Sequence, residues 1–344
     1  MNPIIFGFEG PVFTQEEGLF FHETRPWGVI LFSRNIESRT QLREQTDMLR
    51  EMSGNPHLPI FIDQEGGRVA RLKPPLAPAY PPMGLYGEIY KTDKARAIEA
   101  ARLGAALLAQ DMVELGINIT CAPCLDLRLP EMSDVIGDRG FGADVETVAT
   151  LGRAVLDGLD MGGVLPVIKH IPGHGRAKVD SHIDLPIIDD DVPTLKATDF
   201  EVFKQLNDPL MAMTGHLRFA SIDAAETSTF SKPVIEGVIR DFMGFDGLLM
   251  TDDISMGALT GTMEERVQKS LAAGCDVILH CNGQRAEMEA VFNALPETVN
   301  PAAQARMDAV DDALASLRCD VPAGARKVWG ELVADVFPEA QNAL

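Results

Sequence analysis

A dense set of ionisable side chains lies near the middle of the chain. Lys169 and His170 follow an apolar run at residues 164–168, and Pro172 and Gly173 then interrupt any regular structure. Loops that are fixed to strand ends commonly carry reactive groups. The segment is therefore a candidate for proton transfer or ligand binding, although a solvated polar turn would have a similar composition. Three of the seven histidines of the chain lie here, namely His170, His174 and His182.

Other ionisable residues follow apolar runs in the same way. Asp63 ends the run that begins at residue 59, His216 follows the run 210–214, and Asp252-Asp253 follow the run 247–251. A buried carboxylate without a partner is costly, so the repetition of such residues at run ends favours one shared site. One of the two adjacent aspartates could instead cap the following helix.

A metal site is the alternative interpretation of the three histidines. His170 and His174 are four residues apart, a spacing that on a helix would place both on one face to bind one metal ion. Pro172 and Gly173 between them exclude such a helix. We therefore expect no metal and no cofactor.

The cysteines do not indicate a redox or disulfide framework. Cys121 and Cys124 have the spacing of a redox or zinc pair, but no second pair exists and both lie in an apolar run, which favours two buried thiols. An odd total of five cysteines suits a reducing compartment. A G-x-S-x-G elbow is absent, which leaves little basis for acyl transfer.

Composition and charge restrict the class of protein. Hydrophobic residues make up 46% and charged residues 24% of the 344 residues, as in ordinary globular proteins. The net charge of −21 and the lack of a clustered basic surface argue against nucleic-acid binding. The sequence shows neither a secretory signal nor an apolar stretch of membrane-spanning length, so we predict a cytoplasmic protein.

Eight short apolar runs alternate with longer helical stretches. This alternation predicts a parallel sheet with covering helices. Because each run ends in polar residues, the pattern indicates an α/β fold of the (β/α)8 TIM-barrel type, whose functional groups gather at the C-terminal ends of the strands. An open doubly wound sheet is the alternative, but its G-x-G-x-x-G turn is absent. The runs are residues 4–8, 28–32, 59–62, 117–125, 164–168, 210–214, 247–251 and 276–279.

The intervening stretches are predicted as helices with glycine caps. Gly116, Gly162 and Gly274 stand where helix C-caps are expected. The chain is predicted to form a single domain, residues 1–344, with a closing helix at 301–317 and an uninterpreted C-terminal appendage from Arg318. The other predicted helices include residues 39–52, 92–115, 145–161, 233–242 and 264–273.

Five motifs occur at residues 63–69, 137–142, 169–175, 180–182 and 251–256. In order and spacing they resemble bacterial β-N-acetylhexosaminidases of glycoside hydrolase family 3, and most of all the short cytoplasmic enzymes of peptidoglycan recycling. The resemblance covers about residues 7 to 282. Ile171 stands where an aromatic residue is common in this family, and Gly257 stands where many members carry Glu.

The resemblance implies a retaining exo-hydrolase. Its substrate would be terminal N-acetylglucosamine in β-1,4 linkage to 1,6-anhydro-N-acetylmuramic acid, with or without peptide, and the only implied partner is this small muropeptide-derived disaccharide. By position, Asp252 is implied as the nucleophile, His182 as the proton donor and acceptor, and Asp180 as the partner that orients His182. The residues implied to bind the hydroxyls of the terminal sugar are Asp63, Arg71, Arg139, Lys169 and His170.

The residue types suit this chemistry. Retention needs a carboxylate that forms a glycosyl-enzyme and a second group that first gives and then takes a proton. A histidine with a carboxylate partner can serve as that second group near neutral pH. Another family 3 β-glycosidase or an N-acetylglucosaminide phosphorylase would carry the same pair, whereas a catalytically inactive sugar-binding barrel would not need it. Oligomeric state does not follow from the sequence.

Overall fold

Short parallel strands and helices alternate along the chain in a computed structural model that describes residues 1–130, 132–181 and 183–343. The strands are β1 (Asn2–Phe6), β2 (Pro26–Leu31), β3 (Ile60–Ile62), β4 (Ile119–Thr120), β5 (Leu165–Pro166), β6 (Ile168–Ile171), β7 (Ile187–Ile188), β8 (Met211–Thr214), β9 (Arg218–Phe219), β10 (Leu248–Met250) and β11 (Ile278–His280).

Nine of these strands follow one another around a ring. One parallel sheet has the order β11, β1, β2, β3, β4, β5, and a second contains β6, β8 and β10. Only Val167 separates β5 from β6, so the fifth barrel strand belongs to both sheets. On the other side, a parallel bridge joins Met250 in β10 to Val277 beside β11. Each of the eight predicted runs overlaps a strand of this ring, and the predicted (β/α)8 barrel is confirmed.

The helices lie between the strands. They are α1 (Gln15–Thr24), α2 (Arg39–Ser53), α3 (Met83–Tyr90), α4 (Lys94–Val113), α5 (Val145–Gly162), α6 (Val192–Ala197), α7 (Asp199–Gln205), α8 (Met263–Ala273), α9 (Arg285–Asn293), α10 (Pro301–Ser316) and α11 (Ala325–Val333). The helix predicted at residues 233–242 is a π-helix that spans Pro233–Phe242. None of the helices in the described part of the chain is long and apolar enough to cross a membrane.

Local sequence determines where several helices begin and end. Thr262 caps α8 by accepting the N–H of Glu265, whose side chain accepts the N–H of Thr262 in return. Gly274 ends the same helix in the left-handed region, at φ 117°. The prediction of Gly162 as the cap of α5 is wrong by one residue. Gly163 takes the left-handed conformation, at φ 82°, and Gly162 is the last helical residue.

Side chains alternate between two buried clusters. In β1, Ile5 points into the cluster inside the barrel, whereas Ile4 and Phe6 join the cluster between strands and helices. In β2, Ile30 belongs to the inner cluster and Val29 to the outer one. Side chains of a strand alternate between its two faces, and here both faces contact an apolar cluster. The polar groups of the site therefore lie at the strand ends.

The predicted closing helix is present as α10. Met307 and Val310 belong to the same cluster as Ile5, and Asp311 accepts the indole N–H of Trp27 at 3.1 Å. Trp27 lies near the start of β2, so α10 packs against the amino-terminal end of the barrel.

The segment from Arg318 onward packs on the barrel through α11. Trp329 is fully buried, and Arg326 donates to Asp111 of α4 at 2.8 Å and to the hydroxyl of Tyr80 at 3.2 Å. The C-terminal segment therefore contacts both α4 and the loop after β3, whose residues 73–82 are rich in proline.

Candidate active site

A cavity of about 710 Å³ opens at the carboxyl ends of the strands. Its lining includes residues from loops after β2, β3, β6, β10 and β11, as expected for the functional end of such a barrel. Seven of the eight residues predicted for the site line it, and His182 lies outside the described residues. The seven are Asp63, Arg71, Arg139, Lys169, His170, Asp180 and Asp252.

Asp63 connects two cations at one side of the cavity. Its Oδ1 accepts from Nζ of Lys169 at 2.9 Å, and its Oδ2 accepts from Nη2 of Arg71 at 2.9 Å. Burial alone would raise the pKa of Asp63, but Lys169 and Arg71 together lower it well below its ordinary value. The carboxylate is therefore ionised at physiological pH and can accept hydrogen bonds from a ligand.

Lys169 and His170 are neighbours in β6, yet both side chains line the cavity. Regular alternation would send them to opposite faces. The pairing of β6 with β8 shifts register between Lys169 and Ile171, and this irregularity interrupts the alternation. The sequence places both residues at the end of the strand, whereas the structure includes them within it.

Glu65 lies behind the sugar-binding cations that the sequence predicts. It accepts from Nε and Nη2 of Arg139 at 2.9 and 2.8 Å, and its Oε1 lies 2.7 Å from Nζ of Lys169. Burial opposes ionisation, but Arg139 and Lys169 outweigh it and lower the pKa of Glu65 to about 2. The sequence alone predicts no role for Glu65, although this residue lies within the first of the five motifs.

Asp126 lies beneath His170. It accepts from Nδ1 of His170 at 2.6 Å and from the backbone N–H of His174 at 2.6 Å. Burial would raise the pKa of Asp126, but the two histidines lower it to about 2. The residue ends the fourth apolar run, and this position was the signal that could have identified it.

Asp252 and Asp253 have different surroundings. Oδ1 of Asp252 accepts the backbone N–H of Asp253 at 2.8 Å. Burial would raise the pKa of Asp252, but His216, His170 and this N–H lower it below its ordinary value, so the carboxylate is ionised. Asp253 accepts from both the N–H and the hydroxyl of Ser255, at 3.0 and 2.7 Å. It caps a local turn and not the next helix, α8, which Thr262 caps.

His216 supports the turn that contains the two aspartates. Its Nε2 lies 3.1 Å from the backbone oxygen of Asp253, and its Nδ1 lies 2.8 Å from the hydroxyl of Thr229. The ring is fully buried, and burial lowers its pKa. The ring therefore holds the loop after β10, whose two aspartates both line the cavity.

The loop that carries Asp180 is tied to the loops on either side. The backbone N–H of Ala258 donates to the oxygen of Ser181 at 3.2 Å, and that of Ser133 donates to the oxygen of Ala177 at 2.9 Å. The hydroxyl of Ser181 lies 3.0 Å from Nε2 of His174. These contacts bring the segment with Asp180 to the rim of the cavity that also contains Asp252.

Comparison with known proteins identifies the chain. The model of the glycosyl hydrolase family 3 N-terminal domain matches residues 20–317. The chain belongs to glycosyl hydrolase family 3. A β-hexosaminidase of Methylobacillus flagellatus is 35% identical over 286 residues, which cover 82% of this chain and 81% of that protein. A β-hexosaminidase of Alkalilimnicola ehrlichii is 36% identical over 301 residues, with 86% and 85% coverage.

Solved structures of family 3 proteins have the same fold. NagZ from Neisseria gonorrhoeae in complex with N-trifluoroacetyl-D-glucosamine has a TM-score of 0.87 at 27% identity, covering 100% of this chain and 98% of that one. The same protein in complex with zinc ion has a TM-score of 0.85 at 27% identity, with 97% coverage of each chain. The predicted family, barrel fold and enzyme class, a glycoside hydrolase of the β-hexosaminidase type, are confirmed.

One group in the described part of this family 3 chain has the composition of a metal site. Ligand atoms of Cys124, Asp126 and His170 all lie within 4.8 Å of one another. Burial raises the pKa of Cys124 well above its ordinary value, so the thiol is protonated and unsuited to binding a metal. Asp126 and His170 already bind each other. The group is better explained as the support of His170.

Proposed function

We propose that this family 3 member is a retaining exo-β-N-acetylglucosaminidase. Its substrate is a terminal N-acetylglucosamine linked β-1,4 to 1,6-anhydro-N-acetylmuramic acid, with or without an attached peptide, and its role is in cell-wall recycling. The observation that carries this proposal is the position of ionised Asp252 in a cavity that is also lined by Asp63, Arg71, Lys169 and His170.

The charged residues of the cavity suit a terminal sugar ring. Asp63 accepts hydrogen bonds, whereas Arg71, Lys169 and Arg139 donate them, so neighbouring hydroxyls of a pyranose can be bound as donors and acceptors at once. Fixing the ring in this way orients the anomeric carbon toward Asp252 and reduces the entropic cost of the reaction. The proposed roles of these residues are those implied by their motif positions.

In the first step, Asp252 attacks the anomeric carbon and forms a covalent glycosyl-enzyme. His182 gives its proton to the oxygen of the departing muramyl residue. In the second step, His182 takes a proton from water, the water oxygen attacks the anomeric carbon, and Asp252 leaves as a carboxylate. Asp180 orients His182 and stabilises its charged form. Two inversions at the anomeric carbon give net retention.

We further propose that the enzyme acts in the cytoplasm. All five cysteines are free, and only Cys319 is exposed, which suits a reducing compartment. The small disaccharide is the only partner that the site requires, and no metal or cofactor has a role in this mechanism.

Turnover of defined substrates tests the proposal. Wild-type protein should hydrolyse aryl β-N-acetylglucosaminide far faster than aryl β-glucoside, release β-N-acetylglucosamine first as seen by NMR, and cleave the anhydro disaccharide. Added phosphate should not change the product. Preferential cleavage of the glucoside would indicate another β-glycosidase, formation of a sugar phosphate would indicate a phosphorylase, and no turnover of any glycoside would indicate a binding module.

A further inference from the structure

Glu65 lies directly behind the cavity and is not part of its lining. Its side chain is 1% exposed, and both carboxylate oxygens are used by cations that do line the cavity. One oxygen accepts from Nε of Arg139 at 2.9 Å, while the other accepts from Nη2 of Arg139 at 2.8 Å and lies 2.7 Å from Nζ of Lys169. A sugar in the cavity would therefore meet Arg139 and Lys169 and not Glu65.

The donors of Lys169 show what Glu65 contributes. An ammonium group has three N–H donors in a flexible arrangement. Asp63 at 2.9 Å and Glu65 at 2.7 Å hold two of them, which fixes the direction of the third. Lys169 lines the cavity, so the remaining donor is available to a ligand hydroxyl.

Arg139 is fixed in a similar way. Glu65 binds its Nε and Nη2 edge, and the backbone oxygen of Val135 accepts from Nη1 at 3.0 Å. Nη2 also lies 3.5 Å from Nε2 of His170. A bidentate carboxylate sets the plane of a guanidinium group, and this plane determines where its free donors point.

The charges in this cluster also depend on Glu65. Lys169, Arg139 and Arg71 are three cations, and Asp63 and Glu65 are the two carboxylates bound to them. Lys169 is 2% exposed, so its charge is stable only with close partners. Without Glu65, three cations would share one carboxylate, and Asp63 would be drawn further toward them and away from a ligand.

We infer that Glu65 is a positioning residue, which acts on the terminal sugar only through Lys169 and Arg139. This inference rests on the proposed function, because it assumes that these two cations bind the hydroxyls of the sugar. Glu65 should then affect binding of the sugar much more than the chemical steps at Asp252.

A double-mutant cycle separates positioning from general support of the fold. The variants are Glu65→Gln, Lys169→Met and the double variant, with Glu114→Gln as a matched control at an exposed residue that pairs with Arg39 at 2.7 Å. The measurements are kcat and KM for an aryl β-N-acetylglucosaminide and the Kd of N-acetylglucosamine by calorimetry. Glu65→Gln and Lys169→Met should each weaken Kd by about 10- to 100-fold, the range for hydrogen bonds to charged groups.

The double variant should weaken Kd by less than the product of the two single-variant losses, because Lys169→Met already removes the part of the Glu65 effect that passes through Lys169. Beyond Lys169→Met, the double variant should show only the loss that passes through Arg139. Its kcat should resemble that of Lys169→Met, and Glu114→Gln should behave as wild type. If Glu65→Gln does not fold, two other variants are compared with wild type and Lys169→Met. They are Glu65→Asp and the double variant, which removes one charge of each sign. Glu65→Asp should show an intermediate Kd because its shorter side chain reaches only part of the cluster.

Additive losses in the double variant, or unchanged Kd in Glu65→Gln and Glu65→Asp, would overturn the inference. If wild-type protein is active on the N-acetylglucosaminide, such a result overturns the inference alone. A wild-type protein that cleaves no N-acetylglucosaminide would overturn the proposed function and the inference with it.

Discussion

The Nδ1 atom of His170 lies 2.6 Å from Oδ2 of Asp126, and the backbone N–H of His170 lies 3.2 Å from the same oxygen. Asp126 is 1% exposed. Burial would raise its pKa, but the neighbouring histidines lower it to about 2. It therefore remains an acceptor at any physiological pH. Because Asp126 holds Nδ1, the other ring nitrogen, Nε2, is left on the side of Arg139, from whose Nη2 it lies 3.5 Å away, and both residues line the cavity.

Replacement of Asp126 by Asn should therefore disturb sugar binding. An amide can orient its NH2 group toward Nδ1 and reverse the tautomer of His170, so we expect kcat/KM to fall by about 10- to 100-fold, by analogy with the partners that orient metal-binding histidines. Steady-state kinetics on an aryl β-N-acetylglucosaminide would measure this. Asp47→Asn, at an exposed residue paired with Arg43 at 3.0 Å, is the control. Wild-type kinetics in Asp126→Asn would show that the contact has no functional role.

Stability should decrease as pH falls from neutral, in part because of His174. Burial and the neighbouring His170 lower the pKa of His174 to about 4, and its buried Nδ1 has no hydrogen-bond partner within the described part of the chain. In the unfolded chain a histidine titrates near 6.5, so between about pH 4 and 6.5 the unfolded state binds more protons and stability rises with pH. The contribution of His174 is complete above this window and is lost on acidification through it.

Urea unfolding at two pH values would measure this effect. From the two pKa values, His174 should make the free energy of unfolding about 2 kcal/mol lower near pH 5 than near pH 7. In His174→Gln this part of the pH dependence should disappear, while the part due to His216, whose pKa burial also lowers, should remain. The same pH dependence in wild type and His174→Gln would contradict the assignment. Asp126 and Glu65, each with a pKa of about 2, lose their contributions only in stronger acid.

Activity should survive removal of metal ions. Among the described residues, the group formed by Cys124, Asp126 and His170 combines a protonated thiol with a carboxylate that already binds the imidazole. We expect kcat to remain within about 2-fold of its initial value after exhaustive chelation, since no step of the proposed mechanism uses a Lewis acid. Loss of activity on chelation, with recovery when zinc is added, would contradict this prediction.

The proposed acid/base role of His182 predicts a specific kinetic pattern. If His182 protonates the leaving oxygen, His182→Ala should slow the first step by about 100-fold or more for substrates with poor leaving groups. For activated aryl substrates the first step should slow much less. The second step still needs a base, so the variant should show a burst followed by slow turnover. Azide should restore turnover by replacing water, and Asp180→Ala should show a milder form of the same pattern.

Leaving-group dependence distinguishes this role from simple support of the site. Equal losses on good and poor leaving groups, without a burst or a response to azide, would exclude His182 as the acid/base. His174 would then be the nearest candidate along the sequence.

The barrel could be predicted because its signals are local. The barrel strands are largely buried on both faces and are therefore short continuous apolar runs. Glycine ends α8 at the predicted Gly274 and α5 one residue after the predicted Gly162, but the prediction of Gly116 as the cap of α4 is wrong, because that helix ends at Val113 with Glu114 as its cap. The fourth strand is shorter than its predicted run of residues 117–125. Its continuation contains Pro123, which has no N–H to donate, and regular pairing there is limited to Ile119–Thr120.

The pairings inside the site could not be predicted in the same way. Asp63 and Lys169 are 106 residues apart, and Glu65 and Arg139 are 74 residues apart. Local sequence shows that these residues are charged and follow apolar runs, but only the closed ring of strands determines which cation meets which carboxylate. The packing of α11 on α4 is similarly non-local, because an amphipathic helix does not specify the surface that it covers.

The assignment of the nucleophile is the central claim, and Asp252 and Asp253 provide its internal control. Both residues line the cavity, but their hydrogen bonds differ. Oδ1 of Asp252 accepts a backbone N–H, whereas both carboxylate oxygens of Asp253 accept from Ser255, and its Oδ1 also accepts the backbone N–H of Cys281 at 3.2 Å. Asp252→Ala should therefore lower kcat by about 10⁴-fold or more, because it removes the covalent nucleophile. Asp253→Ala should retain measurable turnover but lower stability by about 1–3 kcal/mol, because it leaves turn donors unpaired.

The most direct measurement is peptide mass spectrometry after reaction of the wild-type protein with a 5-fluoro derivative of N-acetylglucosaminyl fluoride, which slows both steps and allows the glycosyl-enzyme to accumulate. We predict a single adduct of the mass of the fluorosugar, attached to Asp252 in the peptide that contains both aspartates. An adduct on Asp253, or turnover with inversion of configuration and no adduct, would contradict the proposed mechanism.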